Sequence, residues 1–359
     1  MLGGSGGVLG GGGGASSSGG VLGGGFSWEN RKRLDPKDFQ ATGLRGELFV
    51  REPGSINGQA FVVEDCRDST IVLLDHMAQI TVDDCVNCRI IVGPVESSIF
   101  MRTSERCSVA VVCRQFRTRD LKDCDFALHC VTRPIIEESK DLRMACFDLD
   151  YDGLEGQLGA VGMSAFANHW SHIHDFTPRA KNWTFTDEGK SARALLEERG
   201  SGAPAGADAD DAEAVAAQQT PPALPDLECL RSPAACCVRT RGERPTSGEV
   251  GFVLLPPSSV AGARDALSAA LAKGNGSIAL QRTNAAKVSP GEPQDTLLAM
   301  LGAQDETTLR SSLAAAKSVG LELVGEGARA VAEEVAAVHG GFAGGSDAAQ
   351  AFVYLGVTG

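Results

Sequence analysis

Between Phe61 and Phe147 the apolar residues come in short runs separated by polar corners, without the three-to-four spacing of a helix face. The runs are Thr70–Leu74, Arg89–Val92, Ser108–Val112, Phe126–Leu128 and Met144–Phe147. Set in register on Ser69, Cys88, Cys107, Cys124 and Leu142, they repeat at steps of 19, 19, 17 and 18 residues. Repeats this short, rich in β-branched residues, predict an all-β solenoid in which each coil buries its face on the next. The pairs Asp65-Cys66, Asp84-Cys85 and Asp123-Cys124 fall at the corners, where an aspartate side chain can bond the backbone and turn the chain.

After Ser247 the period changes. Strands are expected at Glu249–Leu255, Ser277–Gln281, Leu321–Val324 and Ala351–Leu355. Helices are expected at Val260–Ala272, Leu297–Leu301, Leu309–Lys317 and Ala328–Val338; the last places Val331, Val335 and Val338 on one face. That alternation predicts a small α/β domain of ferredoxin-like type over residues 248–359.

Composition supplies the remaining boundaries. Residues 1–25 are almost all Gly, Ser, Leu and Val and are expected to be disordered; no Gly-Lys-Ser/Thr follows them, so a phosphate loop is not indicated. Residues 26–185 then form the solenoid domain. Residues 186–247, rich in Ala, Gly, Pro and Asp, read as a disordered linker with a short helix near Ala192–Arg199, and Cys236-Cys237 within it as an ordinary cysteine pair rather than an acylation site. Leu2 occupies the position where N-myristoylation needs glycine, so no lipidation is expected there and membrane association is left open. No signal peptide or membrane span is evident.

A net charge of −13, from 33 basic and 46 acidic residues, argues against nucleic acid as a partner. Eight of the 11 cysteines lie between Cys66 and Cys146, which fits buried thiols in a reducing, cytoplasmic setting. Cys85-x-x-Cys88 has no second pair at zinc-finger spacing and reads as part of a stacked cysteine ladder; no metal is expected. His169, His172 and His174 likewise read as ordinary loop or strand histidines.

The chemistry concentrates in Cys113–Asp120, where Arg117 and Arg119 follow an apolar strand at positions that other coils fill with Ser98 or Pro134. An exposed strand arginine is most often solvated or paired. The register, however, sets Glu137 one coil onward, opposite about Asp120 and beside Arg119. A guanidinium held on a rigid coil next to a carboxylate is pre-organised for a phosphate or carboxylate on a partner.

The stretch Gln115–Asp120 resembles the arginine motif of the tubulin-binding cofactor C domain family. Ser27-Trp28, Leu34–Asp38, Gly93–Val95, Pro134–Glu137 and Trp170–Pro178 extend the resemblance over about residues 26–185. The resemblance implies a right-handed parallel β-solenoid of the C-CAP/cofactor C-like type. In one branch of the family a nucleoside-diphosphate-kinase-like domain follows it. It further implies a GTPase-activating protein for the GTP form of an ADP-ribosylation-factor-like small GTPase in ciliary protein trafficking, at the ciliary base or the cytoplasmic face of the plasma membrane.

On this reading Arg117 is the arginine finger, and Gln115, Arg119, Glu137 and Phe176 support it or contact the GTPase. Arg114 stands where the motif has its first glutamine. The chain is expected to be a monomer without catalysis or cofactor of its own, since GTP and Mg²⁺ travel with the partner. The alternative is a non-catalytic effector or a tubulin-folding cofactor that binds a GTPase or tubulin. No kinase histidine motif is recognisable near His339.

Overall fold

The computed structural model describes residues 35–179, 182–188, 190–198, 220–224, 237–243, 248–301 and 306–345. The proposed glycine-rich tail and Cys236 lie outside them, as does the closing strand expected at Ala351–Leu355.

From Gln40 onward the chain winds as a parallel β-solenoid with two ladders of strands. One ladder joins β2 (Leu48–Arg51), β4 (Thr70–Leu73), the first part of β6 (Arg89–Arg102), the first part of β7 (Ser108–Arg119), β8 (Asp125–Cys130), β10 (Leu142–Cys146) and β12 (Trp183–Phe185). The other joins β1 (Gln40–Thr42), β3 (Phe61–Glu64), β5 (Ile80–Asp83), the latter parts of β6 and β7, β9 (Ile135–Glu137) and β11 (His174–Asp175).

Thr70, Arg89, Ser108, Asp125 and Arg143 stand side by side, so the expected steps of 19, 19, 17 and 18 residues hold in the first ladder. The step of 17 follows from β7, which crosses from the first ladder to the second in two fewer residues than β6. The pairing of β6 with β7 slips between Val92 and Val95 and again between Val95 and Ser98. There the strand bends at Gly93, where a Cβ would lie 2.6 Å from the Asp75 carbonyl oxygen and 2.5 Å from the Tyr151 hydroxyl.

Corners follow one rule. Gly43/Gly46, Asp65/Asp68, Asp84/Asn87, Thr103/Arg106, Asp120/Asp123 and Glu138/Asp141 all hold positive φ, three residues apart in each of six successive corners. Asp and Asn tolerate this left-handed conformation better than other residues with a Cβ, which is why acidic residues recur there. Between them the chain bridges coil to coil through Arg45, Arg67, Val86, Glu105, Lys122 and Lys140. Cys85 and Cys88 point inward, their thiols donating to the carbonyls of Asp83 and Val86 at 3.3 and 3.4 Å. Burial drives the Cys107 thiol of the same ladder well above the usual thiol range.

The two ladders differ in what covers them. In the first, Ile71, Ile90, Val109 and Phe126 fill the solenoid interior, while Val72, Ile91, Ala110 and Ala127 face outward yet are also buried. Helices α1 (Leu154–Ala160) and α2 (Ala192–Glu198) lie over that outer side. Asp148 accepts a bond from the α2 backbone at Ala192 (2.8 Å), and Arg89 donates to the carbonyls of Pro222 and Glu197 (3.0 and 3.3 Å). Strands buried on both faces read as unbroken apolar runs. The second ladder is buried only inside, and β3 alternates buried with exposed.

Beyond Ser247 a four-stranded antiparallel sheet has the order β14 (Ile278–Ala286), β15 (Ser318–Gly325), β13 (Val250–Leu255), β16 (Phe342–Gly344). Val253 and Leu255 pack with α3 (Ala263–Gly274) and α6 (Ala328–His339), whereas Phe252 and Leu254 pack with α4 (Glu292–Leu301) and α5 (Glu306–Ala315).

The stretch read as a disordered linker is in part ordered. α2 covers the solenoid, and residues 237–243 run between solenoid and sheet. Trp170 Nε1 donates to Thr240 Oγ1 at 2.9 Å, and the amides of Arg241 and Gly242 donate to Leu280 and Gln281 at 3.0 and 2.9 Å. Gly242 has φ 73°, and a Cβ there would meet the Ser171 side chain at 2.5 Å. Low hydrophobicity did not prevent order here, because backbone pairing with β14 and one buried tryptophan hold the strap in place.

Candidate functional site

The second half of β7 alternates strictly. Phe116 and Thr118 are buried, whereas Gln115, Arg117 and Arg119 are exposed on the outer face. Phe116 anchors the strand by packing edge-on against Phe126, with ring centroids 4.9 Å apart. Hydrogen bonding to β6 on one side and β9 on the other fixes the height of each outward side chain along the solenoid.

Two rungs of side chains cross this face. In one, Arg117 lies between Phe100 and Ile135, with His174 next beyond. The neighbours are therefore not the expected Ser98 and Pro134: Ser98 pairs with Gln115, a shift produced by the irregularities in β6. In the other rung, Arg119 lies between Arg102 and Glu137. Glu137 thus faces Arg119 itself and not Asp120, because the step on this ladder is 18 residues.

The Arg119 guanidinium stands 4.0 Å from Glu137 and 3.4 Å from Asp120, each group about half exposed. Exposed pairs of this kind contribute well under ~1 kcal/mol to stability and serve mainly to orient the side chain. Arg102 is held by both carboxylate oxygens of Asp83. Arg117 has no carboxylate partner among the described residues; its guanidinium carbon lies 5.5 Å from the centre of the Phe100 ring. Phe100 and Arg102 were not singled out from the sequence. The alternation Ile99-Phe100-Met101-Arg102 was the available signal.

Phe176 joins the same face. Its amide donates to the Ile136 carbonyl (3.0 Å), continuing β11 next to Glu137, and its ring is 59% exposed. The loop carrying it is tied down: Asn182 Nδ2 donates to Asp175 Oδ2 and to the Thr177 carbonyl at 2.8 Å each, and Thr177 Oγ1 accepts from the Glu138 amide at 2.7 Å. The His174 ring meets Phe176 edge-on, centroids 4.5 Å apart. A large aromatic ring held exposed by a built loop marks an interaction surface.

Arg114 is turned away from this group. Its Nε donates to the Glu96 carbonyl (2.8 Å) and its Nη2 to that of Val161 (2.9 Å), so it fastens the loop after α1 to the solenoid. His169 and His172 instead line a cleft of about 220 Å³ with Arg133, Glu243 and Arg282. Burial depresses His169 to about 4. Gln115, Arg117, Arg119, Glu137 and Phe176 therefore share one exposed face, bounded by Phe100 and Arg102.

Residues 58–176 match the family described as tubulin binding cofactor C, and the solenoid is a domain of that family. Protein XRP2 of Danio rerio is 40% identical over 165 residues, covering 45% of this chain and 44% of that protein. The tubulin-folding cofactor C of Arabidopsis thaliana is 30% identical over 154 residues, covering 41% of this chain and 44% of that protein. The chain thus spans less than half the length of the curated relatives it matches. A solved structure of tubulin binding cofactor C from Leishmania major overlaps 39% of this chain and 89% of that one, at 17% identity and a TM-score of 0.26, a likeness too slight to add weight.

Proposed function

We propose that this chain is a GTPase-activating protein that inserts Arg117 into the nucleotide site of an ADP-ribosylation-factor-like small GTPase. The observation that carries the reading is an exposed arginine without a carboxylate partner among the described residues, on a rigid strand, ringed by Arg119–Glu137 and Phe176. In GTP hydrolysis water attacks the γ-phosphorus, the bond to the β–γ bridging oxygen breaks, and negative charge grows on the β- and γ-phosphate oxygens. A planar guanidinium delivered into a water-poor interface neutralises that charge. GTP, Mg²⁺ and the water-positioning residue belong to the partner, so this chain supplies only the finger and its docking surface. Work in ciliary trafficking, at the ciliary base or beneath the plasma membrane, is part of the same proposal. The order β14-β15-β13-β16, with α3 and α6 on one face, fits a ferredoxin-like domain as a second binding module.

Single-turnover GTP hydrolysis by such a GTPase, alone and with this protein, tests the reading. Wild type should accelerate hydrolysis by about 10³ to 10⁵, equivalent to roughly 4–7 kcal/mol of barrier, and Arg117→Ala should abolish the effect. Arg117→Lys should recover little. GTP-dependent binding at the intrinsic hydrolysis rate would instead favour a non-catalytic effector. The tubulin cofactors among the relatives make tubulin binding the other outcome to assay.

A further inference from the structure

We infer that Phe100 is a positioning residue for Arg117, holding the guanidinium over its ring before any partner arrives. This deepens the finger reading and rests on it only for its consequence in hydrolysis.

Arg117 and Phe100 are direct neighbours across the β6–β7 pairing, on the same outward rung. The guanidinium carbons of Arg117 and Arg102 lie 5.5 and 5.1 Å from the centre of the Phe100 ring, both within cation–π range. The two arginines are not equivalent. Arg102 is clamped by Asp83, which neutralises it and fixes one side of the ring's surroundings. Arg117 has the ring and no carboxylate partner among the described residues, so nothing must be broken for it to reach a phosphate.

A carboxylate would orient a finger equally well, yet it would compete with the phosphate for the same guanidinium protons. An aromatic face orients the cation through its quadrupole and leaves all five N–H donors available. The half-buried ring is itself fixed, because Ile99 and Met101 on either side are wholly buried in the solenoid. The cost of ordering a long, flexible side chain is thus met in the free protein rather than at the encounter.

The test uses the full chain and the substitutions Phe100→Leu and Phe100→Tyr. Leucine keeps the apolar bulk on an outward position and removes the π face; tyrosine restores it. In the free protein, the NMR signals of the Arg117 Cδ protons and Nε–H should be shifted upfield by the ring current in wild type and Phe100→Tyr. In Phe100→Leu they should move to random-coil positions, and this readout does not depend on any GTPase. Wild-type signals already at random-coil positions would overturn the inference.

With the GTP-loaded GTPase in single turnover, Phe100→Leu should lower the saturating rate roughly ten- to thirtyfold, while half-saturation moves less than about threefold. Phe100→Tyr should restore the rate. An unchanged saturating rate in Phe100→Leu, with wild type active, would also overturn it. An inactive wild type with an intact ring-current shift would retire the GTPase reading and leave the held arginine standing.

Discussion

Thr103 closes the corner that follows β6 at φ 47°. It is the one β-branched residue among the ten non-glycine corner positions with positive φ; the other nine are Asp, Asn, Glu or Arg, six of them Asp. Its side chain is exposed, and its amide donates to the Arg119 carbonyl at 3.2 Å, so the backbone is pinned in place. A residue with a Cβ loses about 1–2 kcal/mol in this conformation, and branching at Cβ worsens the clash. Asparagine relieves most of that strain. Glycine relieves all of it, but costs about 0.5–1 kcal/mol through the freedom it adds to the unfolded chain. Thr103→Asn should therefore stabilise by about 1 kcal/mol and Thr103→Gly by about 0.5 kcal/mol, whereas Thr103→Ala, which keeps the Cβ, should be close to neutral. Urea unfolding followed by the fluorescence of Trp170 and Trp183 reads the differences as shifts in midpoint at constant slope. If neither Asn nor Gly exceeds Ala, the strain assigned to this corner is wrong.

Three further outcomes are expected. Arg114→Gln, which brings back the family's motif residue, severs the ties to Glu96 and Val161 and should destabilise by about 1–3 kcal/mol, with faster amide exchange in α1, while hydrolysis at saturation is unchanged. His129 is wholly buried, with neither ring nitrogen bonded at normal geometry although the Ser164 backbone lies close, and burial depresses it to about 4. The unfolded chain then binds a proton that the fold refuses, so stability should fall as pH drops below ~6.5 and level off near 4, by about 3 kcal/mol in all. His129→Leu should flatten that profile in acid titrations, leaving the residual slope due to His169. Glu137→Ala should leave unfolding free energy within ~0.5 kcal/mol of wild type, because its pair with Arg119 is solvated; a larger loss would make Glu137 part of the fold.

The ladder legible in the sequence was the one buried on both faces. Ile71-Val72-Leu73, Ile90-Ile91-Val92 and Val109–Val112 are continuous apolar runs because α1 and α2 cover their outer side, and such runs stand out in any register. The ladder that bears the candidate site alternates instead, so Phe61–Glu64, Ile80–Asp83 and Ile99–Arg102 dissolve into their flanking turns when read one residue at a time. β1 and β2, three and four residues long, carry too little pattern to announce the first coils. Arg117, Glu137 and Phe176 were singled out by motif, but the neighbours of Arg117 across the strands were not: the slips at Val95 and Ser98 occur inside a strand, where no turn residue marks them. The strap at residues 237–243 had no signal of its own, since its order comes from Trp170 and β14, far away in sequence.

β7 runs for 12 residues without a break from Ser108 to Arg119. Its first half is sealed beneath the helices, and its second half presents the arginines to solvent. With no loop between them, the exposed half has no hinge about which to open alone. Its amides, shared between neighbouring coils on both sides, should exchange with deuterium as one cooperative unit with those of Val109–Val112. The guanidinium of Arg117 thus sits at the tip of a segment whose backbone should open only together with the sealed half of its own strand.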